Sequence, residues 1–378
     1  MKTRAAVLTG VGEKWLIDEI ELADPGPEDV LVEIKAAGLC HSDDHMRTGD
    51  MVTPVEIQRA LGLPSQFPVV GGHEGAGIVK AVGSRVTTLA VGDHVAVSFV
   101  PSCGTCPPCV SGRQYLCDAG MQALQKDEDN PRARWHGAAV NAYAGVGTFA
   151  EHVLADVKSL VKIENHHPLD VAALVSCGVA TGWGSAVERA GTRPGDVVAV
   201  IGVGGIGINA VQGARAVGAR AVIAIDPVEF KREKALEFGA THTAASVDEA
   251  RAIITEVSRG RLCDRVVIAA GVVHGDLVGE ALSITGKGST CVLTGLAPMM
   301  ERTAAVPMFE LTLWNKELKG TIYGSTNPRT AIPQLLARYE AGQLKLDELI
   351  TRRYSLDEIN VGYEDQLAGR ILRGVITF

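Results

Sequence analysis

A glycine-rich turn near the middle of the 378-residue chain restricts its fold more than any other feature. Gly202-Val-Gly204-Gly205-Ile206-Gly207 follows the apolar run 196–201 and opens a stretch, 206–217, with the composition of a helix. Glycines at this spacing permit a tight turn, close approach of a pyrophosphate to the backbone, and close packing of helix on strand. The start of the helix offers free N–H groups to phosphate. The sequence therefore predicts a βαβ unit that binds a dinucleotide.

Strands and helices continue to alternate beyond this turn. A second apolar strand ends at Asp226, a helix is predicted over 229–238, and further strands begin at 265 and 290. This alternation predicts a parallel, doubly wound sheet. A carboxylate at the end of the second strand accepts hydrogen bonds from the adenosine ribose and repels a 2′-phosphate, so NAD is favoured over NADP. The alternative is an ordinary structural βαβ turn.

The first third of the chain has a different pattern. Short β-branched runs at 30–36, 77–82 and 93–97 are separated by Gly and Pro, which predicts a folded antiparallel or barrel-like domain. Near the C-terminus, Ser355–Glu358 has the pattern of a capping box that opens a helix. The run 374–378 then predicts a last strand that completes the first domain. The fold class is therefore α/β.

Charge and cysteine content limit the possible functions. The net charge of −8 disfavours nucleic acids and anionic membranes as partners. We expect no membrane span and no signal peptide, since no long uninterrupted apolar run is visible, and we place the chain in the cytoplasm. In that compartment the eight cysteines serve as metal ligands more readily than as disulfides. The pair His166-His167 is interpreted as a solvated loop.

Two groups of residues suit zinc. Cys103-x-x-Cys106-x-x-Cys109, followed by Cys117, brings four thiolates within reach of one tetrahedral ion, which predicts a closed structural zinc site, with disulfides as the alternative. Two thiolates and one imidazole with an open position would make a catalytic site. The candidates for that site are scattered, and sequence spacing alone cannot assemble them: Cys40, His73 and Cys177. Taken singly, a buried cysteine is more often a small core residue.

The motifs Cys40–Asp43, Gly72–Glu74, the four-cysteine loop, Ser176–Gly178 and the glycine-rich turn occur in the order and spacing of one family. The sequence resembles the zinc-containing medium-chain alcohol dehydrogenases essentially from end to end. The resemblance implies a GroES-like catalytic domain at 1–178 and 322–378, with a Rossmann NAD-binding domain inserted at 179–321. It also implies that the chain forms a homodimer or homotetramer. The implied reaction is the reversible oxidation of an alcohol to an aldehyde or ketone with NAD. Two zinc ions are implied for each chain, one catalytic and one structural.

The resemblance implies roles for individual residues as well. Cys40, His73 and Cys177 would hold the catalytic zinc, with Glu74 close behind it and Asp43 orienting the imidazole. Ser42 would pass the hydroxyl proton to His45, which is expected at the surface. The alternative interpretation of His45 is a solvated loop histidine with no role in proton transfer. Further residues match coenzyme positions (His41, Thr181, Ile206, Lys231 and Arg373) and an apolar substrate pocket (Phe99, Leu296 and Ile322).

Departures from the family pattern leave alternatives open. His41 stands where many relatives carry an arginine, and a histidine there is expected to weaken the contact with the pyrophosphate. The motif that contains His41 resembles that of the thiol-adduct formaldehyde dehydrogenases. The extension 51–66 resembles that of the nicotinoprotein, or N,N-dimethyl-4-nitrosoaniline-dependent, alcohol dehydrogenases, which retain NAD and pass electrons to an external carrier. A plain surface insertion is the alternative. A zinc-free reductase would lack the ligand set, and a nucleic-acid-binding zinc module would need a basic surface.

Overall fold

The structure is a computed structural model that describes residues 1–62, 64–122 and 131–378. The chain forms two compact units. The first comprises Met1–Cys177, Asn327–Glu340 and Leu346–Phe378, and the second comprises Gly178–Thr326 and Ala341–Lys345. The assignment of residues 1–178 and 322–378 to a catalytic domain and of 179–321 to a coenzyme domain stays a prediction.

In chain order, the strands of the described residues are β1 Lys2–Leu8, β2 Leu16–Leu22, β3 Asp29–Gly38, β4 Val69–Val70, β5 Gly75–Val82, β6 His94–Val97, β7 Ala133–Trp135, β8 Ala138–Ala139, β9 Asn141–Ala142, β10 His152–Asp156, β11 Leu160–Ile163, β12 Val197–Ile201, β13 Ala221–Ile225, β14 His242–Ala244, β15 Cys263–Ile268, β16 Thr285–Leu293, β17 Glu317–Gly320, β18 Ile350–Tyr354 and β19 Arg373–Thr377.

In the same order, the α-helices of the described residues are α1 His41–Thr48, α2 Val55–Leu61, α3 Pro107–Val110, α4 Ala119–Gln122, α5 Leu169–Leu174, α6 Ala180–Gly184, α7 Gly207–Ala216, α8 Glu229–Glu237, α9 Val247–Ser258, α10 Gly275–Ser283, α11 Met308–Leu313, α12 Pro328–Glu340 and α13 Ile359–Leu367.

The first unit is built on two largely antiparallel sheets, as its short β-branched runs predicted. Within the described residues one sheet has the order β8-β7-β2-β1-β4-β9, and the other has the order β11-β6-β5-β3-β19-β18, with β10 also paired to β3. The last strand, β19, runs antiparallel to β3 and places Val375 opposite Gly38. The prediction that the C-terminal strand completes this domain is confirmed. The capping box of Ser355 and Glu358 is also present.

The second unit contains a parallel sheet with the order β14-β13-β12-β15-β16-β17 in the described chain. All of its pairings are parallel, which confirms the doubly wound prediction. The buried apolar residues of these strands are mainly Val, Ile and Ala, with Cys263 and Cys291 among them, as expected for strands covered on both faces. The sheet reverses its strand order beside β12, so the loop after β12 lies where open α/β sheets bind ligands.

A long helical segment, Leu169–Arg189, carries two of the predicted site residues, Cys177 and Thr181. By length and composition it passes as a membrane span, contrary to the expectation that none exists, but 89% of its apolar window is buried inside the protein. That is the burial of a core helix. The α-helical turns are interrupted by π-helical turns at Val175–Val179 and Ser185–Arg189. Such π-turns are frequent at functional sites, and Cys177 lies in the first one.

Candidate active site and coenzyme turn

The four-cysteine loop closes around a point that suits one metal ion. The Sγ atoms of Cys103, Cys106, Cys109 and Cys117 all lie within 4.8 Å of one another. Two of the pairs, Cys103 with Cys109 and Cys106 with Cys117, are 3.9 Å apart. A tetrahedral zinc ion with bonds of about 2.3 Å to sulfur requires sulfur atoms about 3.8 Å apart. The four thiols therefore fit a structural zinc site, and none of them is in a disulfide.

The backbone of this loop prepares it for a cation. The N–H groups of Thr105 and Cys106 donate to Cys103 Sγ at 3.4 and 3.3 Å. The first of these bonds, against the opposing effect of burial, lowers the pKa of Cys103 to about 6. Helix α3 starts with Pro107, whose missing N–H costs nothing at this position. The turn thereby stabilises the thiolate form of Cys103, the form that binds a metal.

A second cluster brings together residues that are far apart in the sequence. The ligand atoms of Cys40, His73, Glu74 and Cys177 lie within 4.8 Å of one another, and all four residues are buried. His73 Nε2 is 3.4 Å from Cys177 Sγ. A hydrogen bond from the Cys177 thiol lowers the pKa of Cys40 well below its usual value. Two sulfur atoms and one imidazole nitrogen in a buried pocket form the donor set of a catalytic zinc.

Asp43 fixes the orientation of the His73 ring. Its Oδ2 atom lies 3.0 Å from His73 Nδ1, and both side chains are almost fully buried. The other carboxylate oxygen accepts a hydrogen bond of 2.8 Å from the N–H of Gly72. Gly72 has φ +88, and a Cβ there would lie 2.6 Å from Thr148 Oγ1. When a carboxylate accepts the proton on Nδ1, Nε2 is left free to bind the metal. Zinc-binding histidines are usually oriented in this way by a carboxylate.

Glu74 and Arg373 form a fully buried ion pair beside this cluster. Glu74 Oε2 contacts Arg373 Nη2, which also donates to the carbonyl oxygen of Leu39 at 3.0 Å. Gly38 makes room for the pair, because a Cβ there would clash with Glu74 and approach Arg373 Nη2 to 3.0 Å. Burial raises the pKa of Glu74 to about 7. Its second oxygen, Oε1, has no hydrogen-bond partner among the described residues, as expected of an atom that faces a cation.

The sequence placed Arg373 on the ribose or pyrophosphate of the coenzyme. The structure shows its guanidinium on Glu74, and the coenzyme contact stays a prediction. His41 lies at the start of α1, where the amide nitrogen of Gln366 donates to its Nδ1 at 3.1 Å. The histidine at this position is therefore in contact with α13, which carries Gln366.

The proposed relay residues lie on helix α1 and the loop that follows it. Ser42 Oγ is 3.8 Å from Cys40 Sγ. His45 was expected at the surface, and this is wrong: only 4% of the residue is exposed, because the middle of α1 is buried from Asp43 to Met46. Its Nδ1 lies 3.2 Å from Asp50 Oδ2, and the Asp50 side chain is 28% exposed. Asp50, which no sequence pattern singled out, is the more accessible end of this pair.

Tyr143 is a second site residue that sequence reasoning missed. Its hydroxyl donates to the carbonyl oxygen of Ser42 at 3.3 Å, and its ring meets His73 edge-on with centroids 5.4 Å apart. Phe99 contacts another side of the same imidazole, also edge-on, at 5.3 Å. Phe99 therefore lies beside the metal ligands, as its predicted pocket position requires. No spacing or composition signal marks Tyr143.

The extension after α1 is ordered where it is described and is joined to the site. Helix α2 confirms the predicted helical turns at its centre. Met51 Sδ lies 3.7 Å from the Tyr143 hydroxyl oxygen. Farther along, Asn141 Nδ2 donates to the carbonyl oxygen of Gln66 at 3.1 Å, and Thr53 N donates to Gln66 Oε1 at 3.0 Å. These bonds hold both ends of the extension beside the ring that packs on His73.

The glycine-rich turn of the second unit has the shape that its sequence predicts. It lies between β12 and α7, and Gly202 has φ +83. A Cβ on Gly202 would lie 2.6 Å from the backbone of Ala270, and one on Gly207 would clash with the Gly202 carbonyl. A Cβ on Gly204 would meet only Lys231 Nζ, at 4.0 Å. Gly204 therefore offers an open backbone face with a lysine ammonium group beside it, which suits a pyrophosphate.

Asp226 ties this turn to the end of β13. Oδ2 accepts from Val203 N and Oδ1 from Val228 N, both at 2.9 Å, and 5% of the residue is exposed. Each carboxylate oxygen keeps a further lone pair for a ribose hydroxyl. The remaining predicted positions of this unit are Thr181, buried in α6, Ile206 at the N-cap of α7, and the partly exposed Leu296 and Ile322.

Comparison with known proteins agrees with this geometry. Residues 26–165 match the alcohol dehydrogenase GroES-like domain, and residues 205–341 match the zinc-binding dehydrogenase family. The chain is 48% identical to the NDMA-dependent alcohol dehydrogenase of Amycolatopsis methanolica, over 100% of this chain and 99% of the relative. It is 46% identical to the putative alcohol dehydrogenase D of Mycobacterium tuberculosis, over the full length of both.

Solved structures match over the same length. A zinc-binding alcohol dehydrogenase domain protein of Burkholderia ambifaria aligns with a TM-score of 0.89 at 29% identity, over 100% of this chain and 99% of that one. The benzyl alcohol dehydrogenase of Acinetobacter calcoaceticus aligns with a TM-score of 0.88 at 28% identity and the same coverage. The predicted fold, a GroES-like domain with a doubly wound domain, is confirmed. The chain belongs to the zinc-containing medium-chain alcohol dehydrogenases and, within them, groups with the NDMA-dependent enzymes.

Proposed function

We propose that the chain oxidises an alcohol to an aldehyde or ketone, reversibly, by hydride transfer to NAD. The observation that carries the proposal is the buried convergence of Cys40, His73 and Cys177, with the unpartnered Glu74 oxygen beside them. The first unit serves as the catalytic domain and the second as the coenzyme domain. The four-cysteine loop holds a structural zinc ion.

Each bound group would supply chemistry that the side chains lack. Zinc held by the two thiolates and the imidazole lowers the pKa of an alcohol hydroxyl, and NAD accepts the hydride. Asp43 keeps His73 Nε2 available as a ligand. Ser42 receives the hydroxyl proton, and His45 takes it onward, with Asp50 as the exit toward solvent. The hydrogen bond from Tyr143 to the Ser42 carbonyl holds the start of α1 in place.

The coenzyme preference follows from Asp226. A 2′-phosphate on the adenosine ribose would lie close to the buried carboxylate of Asp226. The repulsion between two negative charges at such close range weakens binding by roughly several kcal/mol. The open backbone of Gly204 and the nearby ammonium group of Lys231 favour the pyrophosphate. NAD is therefore the expected coenzyme, with His41, Thr181, Ile206 and Arg373 as further contacts. Phe99, Leu296 and Ile322 make the substrate side apolar.

We propose further that NAD remains bound through the turnover. The support is the similarity to an NDMA-dependent enzyme and the ordered extension joined to Tyr143. An external carrier then reoxidises the reduced coenzyme. The test is to dialyse the purified protein, denature it, and measure NAD and zinc in the supernatant. Stoichiometric NAD would support retention, whereas an empty protein that turns over only with added NAD would refute it.

The substrate class is tested in the same preparation. Simple alcohols are expected to be oxidised with an artificial electron acceptor and no added thiol. The second candidate, a thiol-adduct formaldehyde dehydrogenase, is favoured by the presence of histidine at position 41, where many relatives carry an arginine. It predicts instead that formaldehyde is oxidised only when a thiol is present. Fewer than about two zinc ions per chain would contradict the assignment of both metal sites.

The exposed edge of the second sheet favours a homodimer or homotetramer. Strand β17 ends the sheet, and the adjacent helix α11 exposes Met308, Phe309 and Leu313 at 68%, 75% and 64%. A sheet edge without a neighbouring strand in the described residues, beside large apolar side chains, is typical of a surface that a second chain covers. Sedimentation analysis tests this. The free thiols of all eight cysteines favour the cytoplasm, and the acidic charge disfavours nucleic-acid and membrane partners.

A further inference from the structure

A third group of metal-ligating side chains lies in the first unit, outside both zinc sites. His166 and His167 follow strand β11, and Glu340 is the last residue of helix α12. One ligand atom of each lies within 4.8 Å of the other two. The two imidazole rings are tilted against each other with centroids 4.3 Å apart. The sequence indicated only a solvated loop here, but His167 is 8% exposed, so half of that interpretation is wrong.

The spacing matches what a small transition-metal ion requires. His166 Nε2 lies 3.5 Å from Glu340 Oε1. Nitrogen and oxygen ligands at about 2.0–2.1 Å from a tetrahedral zinc ion are about 3.4 Å apart. Two imidazoles and one carboxylate form a recognised zinc donor set that leaves a fourth position for water. The same ligands also suit nickel and copper.

The charge around the cluster favours a cation. Glu340 stands at the C-terminal end of a helix of more than three turns, where the helix dipole is negative. The carboxylate of Glu164 adds further negative charge.

The turn that carries the two histidines is preformed. His167 N donates to the carbonyl oxygen of Glu164 at 3.2 Å, and the turn is followed by α5. The buried His167 provides a fixed ligand, while the exposed His166 and Glu340 side chains, at 58% and 62%, are accessible from solvent. Little rearrangement is needed for an ion to enter.

We propose that His166, His167 and Glu340 form a third metal site that binds one zinc-class divalent ion per chain. An ion there would cross-link the turn before α5 to the end of α12. Because its ligands are two imidazoles and a carboxylate instead of thiolates, and two of them are exposed, this ion exchanges with solution while the two thiolate-bound ions remain in place.

The test uses the protein as purified with its own zinc, dialysed against metal-free buffer and titrated calorimetrically with zinc chloride. We expect one further site per chain in the wild type. Both His166→Ala and Glu340→Gln should lower the affinity of this site for zinc by at least about 10-fold. Removing a residue that only supports a metal ligand already lowers affinity by about that factor, and these variants remove a ligand itself. Both side chains are exposed, so the variants should fold normally, and the melting temperature without added zinc checks this.

His274→Ala is the matched control. His274 is also exposed and also pairs with a glutamate, with Nδ1 2.7 Å from Glu301 Oε2. No second histidine belongs to a metal cluster with it in the described chain, so its loss should leave the third site unchanged. The proposal is overturned if the wild type binds no ion beyond the two it retains. It is overturned equally if His166→Ala binds the third ion as the wild type does, or if His274→Ala removes it.

Discussion

Asp43→Asn tests how the catalytic zinc ligand is held in its orientation. The substitution preserves size, and the amide oxygen can still accept the 2.8 Å hydrogen bond from Gly72 N. The amide nitrogen then replaces Oδ2, 3.0 Å from His73 Nδ1. Two N–H groups would face each other there. The imidazole avoids this by moving its proton to Nε2, the nitrogen that binds the metal, or by rotating.

The expected loss follows from the burial of the pair. Asp43 and His73 have side-chain exposures of 0% and 3%, so water cannot replace the lost interaction. Removing such a partner of a metal ligand weakens metal binding by about 10- to 100-fold, which corresponds to about 1.4–2.7 kcal/mol. The four-cysteine site shares no ligand with this pair, and its affinity should not change. One of two zinc ions should therefore become labile.

The assay is zinc content by mass spectrometry during timed dialysis against a chelator. The wild type should retain both ions, and Asp43→Asn should lose one of them first, with partial return of activity when zinc is restored. Asp44→Asn is the control, because Asp44 is the next residue on α1, is also buried, and pairs with Arg47 at 2.7 Å instead of with His73. Equal zinc loss in the two variants would show that Asp43 acts only through helix stability.

Three further predictions concern packing, proton transfer and coenzyme choice. Gly38→Ala forces a Cβ into Glu74 and should lower the free energy of unfolding by about 1–3 kcal/mol in urea titration, while Gly10→Ala, with no atom closer than 3.9 Å, should change little. His45→Gln should lower kcat by about 10-fold or more, with partial rescue by added imidazole in the pH profile; an unchanged kcat would remove His45 from the relay. Asp226→Asn should reduce the preference for NAD over NADP by about 10-fold in nucleotide-binding assays, because the repulsion of the 2′-phosphate is lost; a retained preference would assign discrimination elsewhere.

Features formed by residues close together in the chain could be predicted from the sequence. The turn 202–207 and the end of β13 belong to one βαβ unit, so spacing alone was enough to predict their arrangement. Cys103 and Cys117 lie on one loop, and a loop of that length can only wrap a small volume. The α2 helix and the capping box at Ser355 are likewise set by neighbouring residues.

The position of His45 shows where such reasoning fails. A histidine on a short polar helix is expected to be solvated, yet α1 is buried from Asp43 to Met46 and Asp50 is the more accessible partner. Burial of a helix face depends on what the rest of the chain places against it. The 8% exposure of His167, in a turn that looks solvated, has the same cause.

The glycine-rich turn, the parallel sheet and the four-cysteine site could be predicted from the sequence, since each is built from residues close together in the chain. The second metal cluster, the Glu74–Arg373 pair and the contact of Tyr143 with Ser42 depend on how distant parts of the chain pack together. Those contacts join the start of α1, the loop before β5, the turn after β9, a π-helical turn and the C-terminal strand. Closing such long loops costs entropy that no local pattern reveals, and the packing of the whole domain compensates for it.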